Sequence, residues 1–275
     1  MTSHSHHTST YTKIFGDFIT EPDARDNGSF SLIHKARLKD TTNTKWLGIG
    51  RNTVALKSIY CPEGSANFKK IIESERLALK YLPRHPGLVH LYGSFQLGDF
   101  FCIVSEYLEG GNLLRNGIMK SDFDEECLRR AMRDASGGLL AMHNAGLLHR
   151  DIKADNLMLT EHYRVGRTKI IDFGFVHRMT EKEPEPDILA GSMRYLAPEQ
   201  IRDSLFRRKA LNHPNQESQN HAKFMTRASK KTDVWALGIK NYLKKDDIDR
   251  LNLSPEGKDW IKVASESGSI QGSIT

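Results

Sequence analysis

The sequence predicts an α+β protein with its strands gathered at the front and its helices at the back. Three observations carry this expectation. Four β-rich stretches and one helix-spaced run fall within the expected first lobe, residues 11–107. A short connector, Tyr107 to Asn112, holds the pair Gly110-Gly111. Beyond it apolar residues recur at helical spacing: Leu128, Met132, Ala135, Leu139 and Met142. Elements segregated in this way form two lobes, and a cleft between lobes is where a ligand is expected.

Each element has a local reason. Ser31 to Leu38 and Thr53 to Tyr60 are β-rich, and the Gly- and Asn-containing stretch Lys39 to Asn52 separates them. Phe68, Ile71, Ile72, Glu75, Leu79 and Leu82 then repeat with a helical period until Pro83 stops it. Strands follow over Val89 to Gln96 and Phe101 to Glu106, broken by Leu97-Gly98-Asp99. Ser121, with Asp124 three residues on, is the expected cap of the striped helix, and Gly146 lies just past its end. Another helical run begins near Thr232.

Composition narrows the class. The 275 residues are 38% hydrophobic and 27% charged, enough for a packed interior. No apolar run approaches the roughly 18–20 residues a membrane helix needs. Met1 to Thr10 is polar and lacks the hydrophobic block of a signal peptide, so an intracellular, cytoplasmic or nuclear chain is expected. Cys61, Cys102 and Cys127 are scattered and without C-x-x-C spacing, which points to a reducing compartment. The net charge of +6 comes from dispersed clusters such as Arg207-Arg208-Lys209, with no interleaved aromatics. That reads as solvated surface and not as a nucleic-acid site. His4, His6 and His7 belong to a terminus expected to be floppy.

The chemistry lies in five segments. The loop after the striped helix reads His149-Arg150-Asp151-Ile152-Lys153-Ala154-Asp155-Asn156, and Ile170-Ile171-Asp172-Phe173-Gly174 follows. Later come Gly191-Ser192-Met193-Arg194-Tyr195-Leu196-Ala197-Pro198-Glu199 and Asp233-Val234-Trp235-Ala236-Leu237-Gly238. Upstream, Val54-Ala55-Leu56-Lys57 ends an expected strand. In this order and spacing the segments strongly resemble the eukaryotic protein kinases. Taken singly each has a bland reading: Asp151 as a helix-loop cap, Lys57 as surface, Phe173 and His149 as core.

The resemblance implies a bilobal protein-kinase-like fold and transfer of phosphate from ATP, with Mg2+, to a protein substrate. The apolar and charge patterns above add the expectation of no membrane and no nucleic-acid partner. Phosphoryl transfer asks mainly for positioning and charge neutralisation. By residue-to-residue match, Asp151 accepts the proton of the attacking hydroxyl, and Asn156 and Asp172 bind the metal. Lys153 faces the transferred group, and its pairing with Ser192 resembles the serine/threonine branch. Lys57 holds the α- and β-phosphates and is held by a helix carboxylate. Glu75 fits the family spacing better than Glu73, because Leu79 and Leu82 follow it at four and seven residues. Ile33, Ala55 and Met158 sandwich the adenine, with Glu106 and Leu108 in the hinge and Gly28 in the phosphate loop. His149 and Phe173 stack with Leu91 and Leu79 in a column anchored by Asp233.

Several positions depart from the family pattern. The glycine-rich loop falls on Asp26, Gly28, Ser31 and Ile33, and only the middle glycine survives. Weaker ATP binding is expected there; an ordinary hairpin turn at Asn27-Gly28 is the other reading. Ser105 leaves an open rear cavity, and Asn112 stands where many relatives place an acidic ribose contact. Between Asp172 and Glu199 only Thr180 and Ser192 carry Ser or Thr hydroxyls, so Glu183, Glu185 or Asp187 is a candidate to replace an activating phosphate on Arg150; an acidic mobile loop is the other reading.

The back half departs furthest. An insertion is expected over about 203–230, the C-lobe (108–263) is expected to be incomplete, and 264–275 to be a disordered tail. Ser254-Pro255 reads as a helix start, but no arginine follows Arg250 to pair with Glu199. A buried carboxylate without its partner costs on the order of 3–5 kcal/mol. The leading expectation is an ATP- and magnesium-dependent protein serine/threonine kinase. The alternatives are a catalytically impaired kinase-like scaffold and a small-molecule phosphotransferase.

Overall fold

The structure, a computed structural model, describes residues 14–28, 31–46, 48–49, 53–61, 66–179, 191–192, 195–198, 200–201 and 228–238. The expectations for the two termini, most of the 203–230 insertion, Thr180, Glu183, Glu185, Asp187, Glu199, Arg250 and Ser254-Pro255 lie outside these residues. The chain forms two compact units, Met1–Ile72 with His90–Tyr107, and Glu73–Val89 with Leu108–Thr275.

Unit 1 is an antiparallel sheet of six strands: β1 (Ile14–Phe15), β2 (Phe18–Gly28), β3 (Ser31–Leu38), β4 (Val54–Tyr60), β5 (Leu91–Leu97) and β6 (Phe100–Glu106). Their spatial order is β1-β2-β3-β4-β6-β5. Alternation along β4 sorts the two faces. Val54 and Leu56 join Phe18, Trp46, Cys102 and Val104 in a core on one side. Ile59 joins Phe101 and Ile103 on the other, together with Ile72 of helix α1 (Ala66–Tyr81).

The Lys39 to Asn52 stretch is more than a separator. It carries a short 3-10 turn that buries Trp46, and Ile49 follows at 1% exposure. The Trp46 indole N–H donates to Asp17 Oδ2 at 2.8 Å, so the ring is buried with its polar atom satisfied. Full burial of side chains of this size stabilises by about 1.5–3 kcal/mol each.

Unit 2 centres on helix α2 (Glu125–Asn144), which buries Leu128, Ala135, Leu139 and Met142 of the expected stripe, together with Cys127 and Ala131. Its cap differs from the expected one. The Asp124 carboxylate accepts the Cys127 N–H at 2.8 Å. Ser121 is exposed and lies inside a turn, closed by Phe123 N–H to Lys120 O, that buries Phe123. The chain must complete that turn before the helix can begin. At the other end Gly146 adopts φ +74°, a left-handed stop that favours glycine.

Short strands frame the loops: β7 (Gly111–Asn112), β8 (Leu147–Leu148), β9 (Leu157–Leu159), β10 (Thr168–Ile170) and β11 (His177–Arg178). They form a three-stranded sheet, β10-β9-β7, and a pair, β11-β8. Helix α3 (Lys230–Leu237) starts two residues before the expected Thr232, because Ser229 and Thr232 form a reciprocal capping box. Among the described residues no helix is long and apolar enough to cross a membrane, and Cys61, Cys102 and Cys127 are free thiols.

Candidate active site

The centre of unit 2 is built around two carboxylates. Strand β8 delivers the chain into His149-Arg150-Asp151, where Arg150 takes φ +69°. Left-handed backbone costs a non-glycine residue roughly 1–2 kcal/mol. Asp233, 2% exposed in the first turn of α3, offsets that cost. Its Oδ2 accepts the His149 N–H and its Oδ1 the Arg150 N–H, both at 2.8 Å. His143 Nε2, on the buried side of α2, reaches the same Oδ2 at 3.0 Å. Burial lowers the Arg150 pKa from its ordinary value, and the charge of Asp233 opposes the fall.

Asp151 is thereby placed, and its own carboxylate is held on both oxygens. Oδ1 accepts the Ser192 N–H at 2.8 Å. Oδ2 accepts from Lys153 Nζ at 2.8 Å and from Asn156 Nδ2 at 3.2 Å. Lys153 Nζ also donates to Ser192 Oγ at 3.1 Å. The backbone leading to Ser192 comes so close that a Cβ on Gly191 would lie 2.3 Å from Arg150 O, and Gly191 has φ +99°. Asp151 is 4% exposed. A carboxylate held in one orientation by charged and neutral donors is a prepared proton acceptor.

Asn156 and Asp172 are brought together by strand register. In the β9–β10 pair Leu157 lies opposite Ile170, and one step on Ile171 N–H donates to Asn156 O at 2.9 Å. Asp172 is the next residue, with φ +62°. The Asn156 amide nitrogen donates to Asp151 O at 2.8 Å, which turns its oxygen to the opposite side of the amide group. One amide and one carboxylate oxygen suit a hard cation that keeps water and phosphate in its remaining positions. Among the described residues no cluster of three or more His, Cys, Asp or Glu could enclose a metal by itself. Two oxygen donors of this kind fit a magnesium ion whose remaining positions are filled from outside the protein. His149 Nε2 lies 3.1 Å from Ile171 O, and the His149 and Phe173 rings meet edge-on at 5.7 Å, which braces the turn from inside.

Unit 1 presents a face of its own. Cross-strand register sets Ile33 opposite Lys57 and Lys57 opposite Ile103. The neighbouring row is Lys35, Ala55 and Ser105. Ile33, Lys35, Ala55, Lys57 and Ser105 are all half-buried, while Val54 and Leu56 between them on β4 are fully buried on the other side. Gly28 faces Ser31 at the end of the β2–β3 hairpin, with Asp26 opposite Ile33, so the degenerate glycine pattern lies on a hairpin. Glu106 is tied to His90: its carboxylate accepts the His90 N–H at 2.7 Å and its own N–H donates to His90 O at 2.9 Å. On α1, Glu75 is 2% exposed whereas Glu73 is exposed.

The remaining expected contacts lie in unit 2. Leu108 is 5% exposed, and Met158 is half-buried on β9 opposite Asn112. Asn112 serves as a local cap: its Oδ1 accepts the Leu114 and Arg115 N–H groups and its Nδ2 donates to Ala154 O. Sequence reasoning missed His143 and Gln200. Gln200 is 7% exposed and its Oε1 accepts the Ala197 N–H at 3.0 Å. His143 had a signal, since it sits on the buried stripe of α2 one residue after Met142. Gln200 had none, because only the fold turns its side chain inward.

A two-unit fold with a strand-rich first unit, a loop holding one oriented carboxylate, and an Asn and an Asp just outside two paired strands is an arrangement of the protein-kinase type. The family model described as protein kinase domain matches residues 27–243. The chain belongs to the protein kinase family.

Its relatives agree. It is 29% identical over 77% of its length to serine/threonine-protein kinase 1 of Arabidopsis thaliana, of which the match spans 21%. It is 27% identical over 79% of its length to serine/threonine-protein kinase cds1 of Schizosaccharomyces pombe, of which the match spans 42%. Over 42% of its length it is 36% identical to serine/threonine-protein kinase PAK mbt of Drosophila melanogaster, of which the match spans 18%. The matched region thus covers less than half the length of each of these relatives.

Proposed function

We propose that this chain transfers the γ-phosphate of ATP, as its magnesium complex, to serine or threonine hydroxyls of protein substrates. The observation that carries the proposal is the Asp151 carboxylate, held at once by Ser192 N–H, Lys153 Nζ and Asn156 Nδ2. In the transfer, the hydroxyl oxygen bonds to the γ-phosphorus as the bond from that phosphorus to the β–γ bridging oxygen breaks. The hydroxyl proton passes to Asp151 and then to solvent, and ADP leaves. Lys153 screens charge on the moving phosphoryl group. Asn156 and Asp172 are the oxygen ligands that would hold magnesium, which supplies charge neutralisation at the phosphates.

Lys57 is assigned to the α- and β-phosphates of the same nucleotide, and Glu75 is assigned as its carboxylate partner. The burial of Glu75 supports this choice over Glu73, since a buried carboxylate needs a compensating cation or donors. Ile33, Ala55 and Met158 are assigned to the adenine. Glu106 and Leu108 contact it through their backbone, because the Glu106 carboxylate is already engaged by His90. Gly28 is assigned to the phosphates. The serine/threonine preference rests on the Lys153–Ser192 contact and on the names of the relatives.

The test is transfer from labelled ATP with magnesium to a basic peptide containing Ser or Thr, beside Asp151→Asn and a Tyr-only peptide. The wild type labels the first peptide, and Asp151→Asn lowers the rate by about 10²–10⁴-fold. Equal labelling by wild type and variant would overturn the proposal.

A further inference from the structure

The segment that carries Asp172 is tied to the α1 side of unit 2 at both of its ends. Before it, Ile170 N–H donates to Gly87 O at 2.9 Å, and Ile170 O accepts the Val89 N–H at 3.0 Å. Beyond it, the Arg178 guanidinium carbon lies 3.8 Å from the centroid of the Tyr81 ring. That is well inside the range at which a cation is attracted to an aromatic face. Tyr81 is the last residue of α1, six residues after Glu75, and the Lys80 ammonium lies 5.0 Å from the same ring. Arg178 has its own anchorage: it lies opposite Leu147 in the β11–β8 pair, and Met179 N–H donates to Gly146 O at 2.8 Å.

The second tie has a physical task. Asp172 holds φ +62°, a conformation that a non-glycine residue keeps only when its surroundings enforce it. Ile170 and the β11–β8 pair hold the two ends of the loop to unit 2. The stack adds a side-chain tie from the far end to α1, which further restricts relaxation toward ordinary backbone.

We propose that Arg178 and Tyr81 are a positioning pair, whose stack fixes the Asp172 segment to the helix that carries Glu75. Neither residue touches substrate. The inference rests on the roles proposed above for Asp172 and Glu75.

The test uses the full chain as wild type, Tyr81→Leu, Arg178→Met, the double variant and Tyr81→Phe. Two readouts are taken: peptide phosphorylation against free magnesium at saturating ATP, and amide hydrogen exchange across 171–179. Tyr81→Leu and Arg178→Met should each raise the half-saturating magnesium concentration and lower kcat by about two- to fivefold. Exchange at Val176 and Met179 should quicken. The double variant should be no worse than either single one, and Tyr81→Phe should match the wild type because the ring, not the hydroxyl, makes the stack.

Wild-type magnesium dependence and exchange in both single variants would overturn the inference. So would additive effects, or a Tyr81→Phe variant as impaired as Tyr81→Leu. A wild type that transfers no phosphate sinks the kinase proposal instead, and hydrogen exchange still decides whether the tie exists. If Tyr81→Leu fails to fold, Arg178→Met against Tyr81→Phe separates the same outcomes.

Discussion

Lys153 Nζ stands 2.8 Å from Asp151 Oδ2, the only ammonium group bonded to that carboxylate among the described residues. On the function proposed above, this contact makes the lysine part of the working site. Lys153→Met is expected to lower kcat by about 10²-fold while peptide KM changes little. Ser192→Ala should be milder, because the Ser192 N–H still holds Oδ1. Steady-state kinetics with a Ser peptide distinguish the two. Equal losses in both variants would argue against a distinct role for the ammonium group.

Asp233 satisfies the buried His149 N–H and the part-buried Arg150 N–H, and faces His143 as well. Asp233→Ala leaves those donors without an acceptor and releases the strained Arg150 backbone. A loss of about 2–5 kcal/mol is expected, with Asp233→Asn less severe since one oxygen remains. Urea denaturation measures it, and an unchanged midpoint in the Ala variant would refute this account.

Gly87 and α2 touch through backbone. A Cβ on Gly87 would fall 2.1 Å from Asp134 O, and one on Gly138 would fall 2.4 Å from Gly87 O. Neither partner is a side chain that can swing away, so Gly87→Ala and Gly138→Ala should each cost about 1–3 kcal/mol or more. Gly48→Ala, whose nearest neighbour is 4.0 Å away, is the control and should stay within about 0.5 kcal/mol.

Burial pushes the Cys102 thiol up to about 11. The unfolded thiol ionises near 8.5, so between these values the native state keeps a proton that the unfolded state has lost. Stability from this group is therefore full below pH ~8.5 and declines as pH rises above it. The same burial makes Cys102 unreactive. Alkylation at pH 8 followed by mass spectrometry should modify half-exposed Cys61 first and leave Cys102 until the protein is unfolded.

Ser105 shares a cross-strand row with Ala55, on the half-buried face of unit 1. If that face takes the adenine, bulky purine-like inhibitors should bind unusually well, and Ser105→Phe should abolish their binding while ATP still supports turnover. An inhibitor affinity unmoved by the substitution would show that Ser105 does not face the nucleotide.

Much of the fold is legible from the sequence because the relevant signals are local. The strands β3, β4, β5 and β6 and helix α1 begin and end within a few residues of the expected positions, set by Pro83, the Leu97-Gly98-Asp99 turn and alternation. The cap of α2 differs from expectation because Ser121 and Asp124 are both good capping residues, and the choice depends on burying Phe123 first. Trp46 and Ile49 are hidden in a polar stretch whose path across the sheet has no periodic signature.

The order and spacing of a carboxylate, a lysine two positions later, an amide and a second carboxylate carry the resemblance to the protein kinases, and the expected chemistry comes from that resemblance. The resemblance is legible without the fold. Which oxygen each donor meets, why Arg150 and Asp172 keep left-handed backbone, and that Tyr81 lies against Arg178 are decided by the folded chain alone. The contacts from Asp151 to Ser192, from Asp233 to Arg150 and from Arg178 to Tyr81 join residues 41, 83 and about 97 positions apart. Pairings that distant are selected by packing of the whole interior, which no local pattern encodes.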